Sequence, residues 1–72
     1  MLKGKWIVRA SVVSNKTGVV MQTRNETVDL DSNVIFSGCE TVLDIHDRYE
    51  RFWNHNKVGK ETIVMICGIR KI

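Results

Sequence analysis

Four side chains that could bind a metal are spread through the 72-residue sequence: Cys39, His46, His55 and Cys67. They are the donor types of a tetrahedral zinc site. Structural zinc ligands usually come as closely spaced pairs along the chain, however, and this sequence contains no such pair. We therefore predict no metal site and no cofactor.

Cys39 could also act as a nucleophile, because it falls in the first turn of a predicted helix, where the helix dipole lowers a thiol pKa. Acidic neighbours oppose that effect, so we predict a small packing residue instead. His46 is interpreted as a hydrogen-bonded histidine at the edge of the core. No phosphate-binding loop, dinucleotide fingerprint, zinc-protease motif or nucleophile elbow occurs. The sequence predicts a protein that is not an enzyme.

A helix from Ser37 to Trp53 is the element that the sequence marks most clearly. Ser37 and Glu40 have the spacing of a capping box, which predicts the start of the helix at Ser37. Apolar side chains then recur at helical spacing, and acidic residues precede basic ones, as the helix dipole favours. The predicted buried side consists of Cys39, Val42, Ile45, His46, Tyr49, Phe52 and Trp53.

Three strands complete the predicted fold. Alternating side chains predict strand one from Lys5 to Val13, and the turn at 15–18 leads to strand two from Val19 to Thr27. Residues 34–36 are either a short connection or a short strand, 54–60 form a loop, and strand three runs from Glu61 to Ile72. A right-handed crossover places strand three beside strand one. The predicted class is a single α+β domain of type ββαβ, with sheet order 2-1-3 and the helix on one face.

One helix can cover only one face of this sheet. The uncovered face predicts an interface, and homodimerisation is its expected use; the alternative is a partly exposed sheet of ordinary composition. The residues predicted for this interface are Ile7, Arg9, Ser11, Val13, Arg24 and Arg70.

Charge is divided sharply along the chain. Residues 1–24 carry a net +5, residues 25–50 a net −6 and residues 51–72 a net +4. The acidic residues of the helix could form a docking surface for a basic partner, or simply a solvated side. The residues of this possible docking face are Glu40, Asp44, Asp47 and Glu50.

The basic strands leave nucleic-acid binding as a second hypothesis. Six basic residues could line the open side or the edges of the sheet, although no aromatic pair on these strands is available to stack on bases. They are Lys3, Lys5, Arg9, Arg24, Arg70 and Lys71.

The sequence has neither the pattern of a secretion signal nor an apolar run of membrane-spanning length, so we predict a cytoplasmic protein with no membrane contact. In size and composition it resembles the small regulators and inhibitors made by bacteriophages and mobile elements, without a shared motif. We expect a regulatory binding protein that acts on another protein and is a homodimer; the alternative is a small RNA- or DNA-binding regulator.

Overall fold

The computed structural model describes residues 1–57 and 61–72 and has the predicted ββαβ order. Its elements are the strands β1 (Lys5–Ser14), β2 (Val20–Asp29) and β3 (Thr62–Lys71), a 3₁₀ turn at Val34–Phe36, the helix α1 (Val42–Phe52) and a π-helical turn at Trp53–Lys57. The α+β class is confirmed, because β1 pairs antiparallel with both neighbours in the order β2-β1-β3. The predicted loop 54–60 is wrong at residues 54–57, which continue the helix as the π-helical turn, and residues 58–60 lie outside the described residues.

The β1–β2 hairpin forms where the sequence predicts it. Ser14 exchanges backbone bonds with both ends of the turn, donating to the carbonyl of Val19 and accepting from the N–H of Gly18, each at 2.9 Å. Gly18 has a φ of +75°, which a residue with a Cβ adopts only at a cost. The turn therefore depends on this glycine.

The helix starts five residues later than predicted. Gly38 has a φ of +78°, which cannot occur inside a right-handed helix, so the proposed capping box of Ser37 and Glu40 is wrong. Thr41 is the N-cap instead. Its hydroxyl accepts from the N–H of Asp44 at 3.3 Å, and the Asp44 carboxylate accepts from the N–H groups of Glu40 and Thr41 at 2.8 and 3.0 Å.

The core lies between the helix and one face of the sheet. Predicted core residues from β1 and α1 are buried there, but Val42 is 41% exposed because the helix begins with it, and Phe52 and Trp53 are only partly buried. The 3₁₀ turn, which the sequence left as a connection or a strand, contributes Phe36. The buried core consists of Trp6, Val8, Ala10, Val28, Leu30, Phe36, Cys39, Ile45, Tyr49 and Val64.

A bulge divides β3 into two parts. Ala10 pairs with Ile66, whereas Arg9 pairs with Gly68, so Cys67 is an extra residue in the strand. The side chains of β3 therefore do not alternate regularly between the two faces along the whole strand. Before the bulge Ile63 and Met65 face away from the helix, and after it Gly68 and Arg70 do so.

Side chains from the helical segment cover the middle of the outer edge of β3. The Asn54 amide accepts from the N–H of Val64 at 2.8 Å and donates to the carbonyl of the same residue at 3.2 Å. One residue pair further, the Glu50 carboxylate accepts from the N–H of Ile66 at 2.8 Å. Backbone groups that a neighbouring strand would otherwise pair are thus satisfied within the chain. No helix among the described residues is long and apolar enough to cross a membrane.

Candidate binding surfaces

The sheet face turned away from α1 is the first candidate site, and we call it the open face. Its central row is Ile7, Arg9, Ser11 and Val13 of β1, as predicted. Because paired residues of adjacent strands point to the same side, the register adds a row from each neighbour. These rows are Thr23, Asn25 and Thr27 of β2, and Ile63, Met65, Gly68 and Arg70 of β3.

One end of the open face is basic and concave. Arg9 and Arg70 are both exposed and flank a shallow depression of about 320 Å³, with Gly68 between them. Gly68 adds no side chain to this depression, and a Cβ there would be in ordinary contact with Cβ of Arg9 at 3.8 Å. Its lining is completed by Ile7, Asn25 and Ile69. Two guanidinium groups beside a concave surface can receive a carboxylate or a phosphate.

The other end of the open face is apolar. Val13 lies between Val20 of β2 and Ile63 of β3 in the register, and Met65 follows on β3. Val20 is 56% exposed and Met65 is 52% exposed, so this end is largely uncovered. An apolar patch next to a basic end is typical of a protein-binding surface.

Arg24 does not belong to the open face, and its prediction there is wrong. It pairs with Ala10, whose side chain is in the core, so the register turns Arg24 to the helix side. There its guanidinium lies 4.0 Å from the ring centroid of Trp53 and 3.4 Å from a carboxylate oxygen of Glu26. Lys71 is likewise on the helix side, 5.4 Å from the ring centroid of Trp6.

The predicted acidic face is not one continuous surface. Glu50 turns to the edge of β3, as described above, and its second oxygen lies 3.5 Å from Nδ1 of His46. The carboxylate of Asp44 is part of the helix cap. Its hydrogen bonds from the N–H groups of Glu40 and Thr41 hold the pKa of that carboxyl below its usual range. Glu40 precedes the helix and lies 3.2 Å from the amino terminus. Asp47 forms an ion pair with Arg51, four residues later on the helix, at 2.7 Å.

Arg48 lies four residues after Asp44 on the helix but bonds to backbone carbonyls before the helix. Its guanidinium donates to the carbonyl of Ser37 at 2.6 Å and to that of Ile35 at 3.2 Å. The Arg48 side chain therefore links the connection after β2 to α1. This contact is possible because α1 begins after Thr41, so that Ile35 and Ser37 lie beside the helix and not within it.

The cysteines and histidines are not brought together. Cys39 is buried in the core and Cys67 is exposed on the sheet, where its thiol donates to the carbonyl of Arg9 at 3.4 Å. In residues 1–57 and 61–72, no three side chains of the metal-binding types converge. Burial raises the pKa of the Cys39 thiol, opposed by the charge of Arg48.

Comparison with known proteins does not narrow the function further. No protein-family model, curated protein or solved structure matches this chain. The candidate surfaces must therefore be interpreted from their own geometry.

The outer edge of β2 is a second candidate surface, which the sequence-based prediction missed. None of the described strands lies beside it in the sheet, and Thr23, Asn25 and Thr27 are exposed along it. One signal was present: polar residues occupy both faces of this segment, as is common for an edge strand. The isolated Gly68 similarly signalled the bulge in β3.

Proposed function

We propose that this protein is a non-enzymatic regulatory domain, acting as an inhibitor or adaptor, whose open face binds another protein. The observation that carries the proposal is the division of this face into an uncovered apolar end and a basic end around Arg9 and Arg70. The apolar end supplies the favourable burial on association, while the arginines select a partner with carboxylates at the matching distance.

A second copy of the open face is a poor occupant of this surface. The register places Asp29 on the open face opposite Lys5, and one oxygen of its carboxylate accepts from the N–H of Asp31 at 3.0 Å. In each copy, stacking two such faces would bury the cationic groups of Lys5, Arg9 and Arg70 against the one carboxylate of Asp29, which is costly. We therefore assign the open face to a different protein and the predicted homodimer to another surface.

The test is affinity purification from the native cell with matched variants. Met65→Glu places a charge at the apolar end, and Leu43→Glu is its control, because Leu43 is 77% exposed on the helix. We expect a partner that co-purifies with the wild type and with Leu43→Glu but not with Met65→Glu. Its binding to the wild type should persist after nuclease treatment. A partner retained by Met65→Glu would contradict the assignment.

Nucleic-acid binding remains the second candidate, because Arg9 and Arg70 are exposed and carry no acidic partner among the described residues. It predicts that Arg9→Glu and Arg70→Glu abolish binding, while Lys16→Glu in the hairpin turn has little effect. Affinity would fall steeply between about 50 and 200 mM salt, whereas a mainly apolar protein interface responds weakly. Loss of the partner on nuclease treatment decides for this alternative.

A further inference from the structure

The structure determines which residues of β2 direct their backbone N–H and C=O groups to the outer edge of the sheet. The N–H of Leu30 donates to the carbonyl of Gly4 at 2.9 Å, so these two residues form a hydrogen-bonded pair. Such pairs alternate along an antiparallel ladder. Arg24 and Glu26 consequently direct their backbone groups toward β1. The residues between and beside them, Thr23, Asn25 and Thr27, direct theirs outward.

The stretch of this edge that is free to pair is short, because a structural feature limits it at each end. At one end the outward carbonyl of Asp29 is already used, since it accepts from the N–H of Asn33 at 2.9 Å. At the other end the register shifts between Val12 and Val13, where β2 approaches the hairpin turn. The regular stretch with free outward groups is therefore 23–27, centred on Asn25.

This stretch is complementary to a second copy of itself. If a twofold axis passes beside Asn25, antiparallel pairing places Asn25 opposite Asn25, Thr23 opposite Thr27, and Arg24 of one copy opposite Glu26 of the other. The outward groups of the first two pairs give about six interchain hydrogen bonds. Arg24 and Glu26 fall in a non-hydrogen-bonded pair, where facing side chains are closest, and their charges are opposite.

Neighbouring registers lack this match. Moving the axis by one residue places Arg24 opposite Arg24 or Glu26 opposite Glu26, which is repulsive. Moving it by two residues either brings Asn25 opposite Asp29, whose carbonyl is occupied, or runs into the shifted register near the hairpin turn. The order of charges on β2 therefore specifies one symmetric pairing.

We propose that the chain forms a homodimer by antiparallel pairing of β2 with β2 about a twofold axis at Asn25, giving a continuous six-stranded sheet. This interface uses the outward backbone groups of β2, whereas the partner assigned to the open face contacts side chains; Asn25 belongs to both surfaces. Both helices lie on one side of the extended sheet, and both open faces lie on the other. The contact is isologous, so it closes at two copies.

Sedimentation equilibrium of the full chain at about 10–200 µM tests the proposal, because a dimer of this kind depends on protomer concentration. We expect a dimer. Asn25→Pro removes the outward N–H without removing a bond to β1, and should weaken association at least about tenfold. Near-ultraviolet circular dichroism verifies that this variant is folded. A wild-type chain that stays monomeric throughout this range would overturn the proposal.

Cysteine cross-linking checks the register without relying on the proline variant. In a Cys67→Ser background, Asn25→Cys should form a disulfide-linked dimer, because the paired Cα atoms would lie about 5.5 Å apart. Thr23→Cys and Thr27→Cys should each fail to cross-link alone and should cross-link when mixed. Self-linking at position 23 or 27, or none at position 25, would contradict the pairing.

Discussion

Tyr49 combines burial with a polar contact at the edge of the core. It is 2% exposed, and its hydroxyl donates to a carboxylate oxygen of Glu26 at 3.1 Å. Burial, followed by the negative charge of Glu26, raises the pKa of Tyr49 to about 12. An unfolded chain ionises its tyrosine near pH 10. The contribution of the raised Tyr49 pKa to the free energy of unfolding is therefore complete below about pH 10 and is lost as the pH rises toward 12.

Tyr49→Phe tests this contact. At neutral pH we expect a loss of about 1–2 kcal/mol in the free energy of unfolding, measured with urea, because Glu26 loses a donor. Between about pH 10 and 12 the wild type should lose stability faster than the variant. Since the sequence has one tyrosine, ultraviolet titration of the wild type follows Tyr49 alone. A tyrosine that titrates near its ordinary pKa would contradict the buried contact.

The two thiols should react at very different rates. Cys67 is exposed on the sheet, whereas Cys39 is buried and burial raises its pKa, so it presents little thiolate. We expect one thiol per chain to react rapidly with iodoacetamide in the folded protein and the second only in denaturant. In Cys67→Ser the rapid reaction should disappear. Rapid labelling of that variant would reopen a role for Cys39 as a nucleophile.

At the scale of the helix, the position of the cap decides which substitutions matter. Thr41→Ala should lower the free energy of unfolding by about 1 kcal/mol, because the hydroxyl bond to the N–H of Asp44 is lost. Ser37→Ala is the control and should change it by less than about 0.5 kcal/mol. Urea unfolding of both variants measures the difference. The reverse order would return the helix start to Ser37.

Much of the element arrangement follows from the sequence. The alternation of β1 is unambiguous because a charged side alternates with an apolar one, and a right-handed crossover then leaves one position for β3. Two local features of the fold were not predicted correctly, the start of the helix and the bulge in β3. Gly38 can join a helix or break it, and only its positive φ in the folded chain decides. The bulge at Cys67 could not be predicted, because residues 63–67 are apolar on both faces of the strand and give no preferred alternation.

The prediction of surfaces was less successful, for reasons that belong to tertiary structure. Arg24 looked like an open-face residue because β2 is polar on both sides, and only the register with β1 assigns its direction. Glu50 looked like part of an acidic surface, but the backbone of β3 lies within its reach. Spacing along a helix cannot reveal such a contact.

At the scale of the whole molecule, the two proposed surfaces should be separable. Arg9→Glu combined with Met65→Glu changes the open face, and neither residue lies on the outer edge of β2. We expect this double variant to keep the sedimentation behaviour of the wild type and lose the protein partner. Arg24→Glu places two negative charges opposite each other in the β2–β2 pairing and lies on the helix side, so it should do the opposite at low concentration, retaining the partner as a monomer. Simultaneous loss of both properties in either variant would mean that one surface serves both purposes.

The side chains over the outer edge of β3 limit the addition of further copies to the sheet. A sheet with two receptive edges can add copies at both ends without stopping, and this is how fibrils lengthen. Here Asn54 and Glu50 occupy the middle of one edge. Beyond the bulge, the remainder of that edge is only a short segment around Ile69 and Lys71. The two hydrogen bonds of the Asn54 side-chain amide, together with that of Glu50, thus block strand addition at the middle of this edge, and among the described residues they leave the outer edge of β2 as the longer receptive edge.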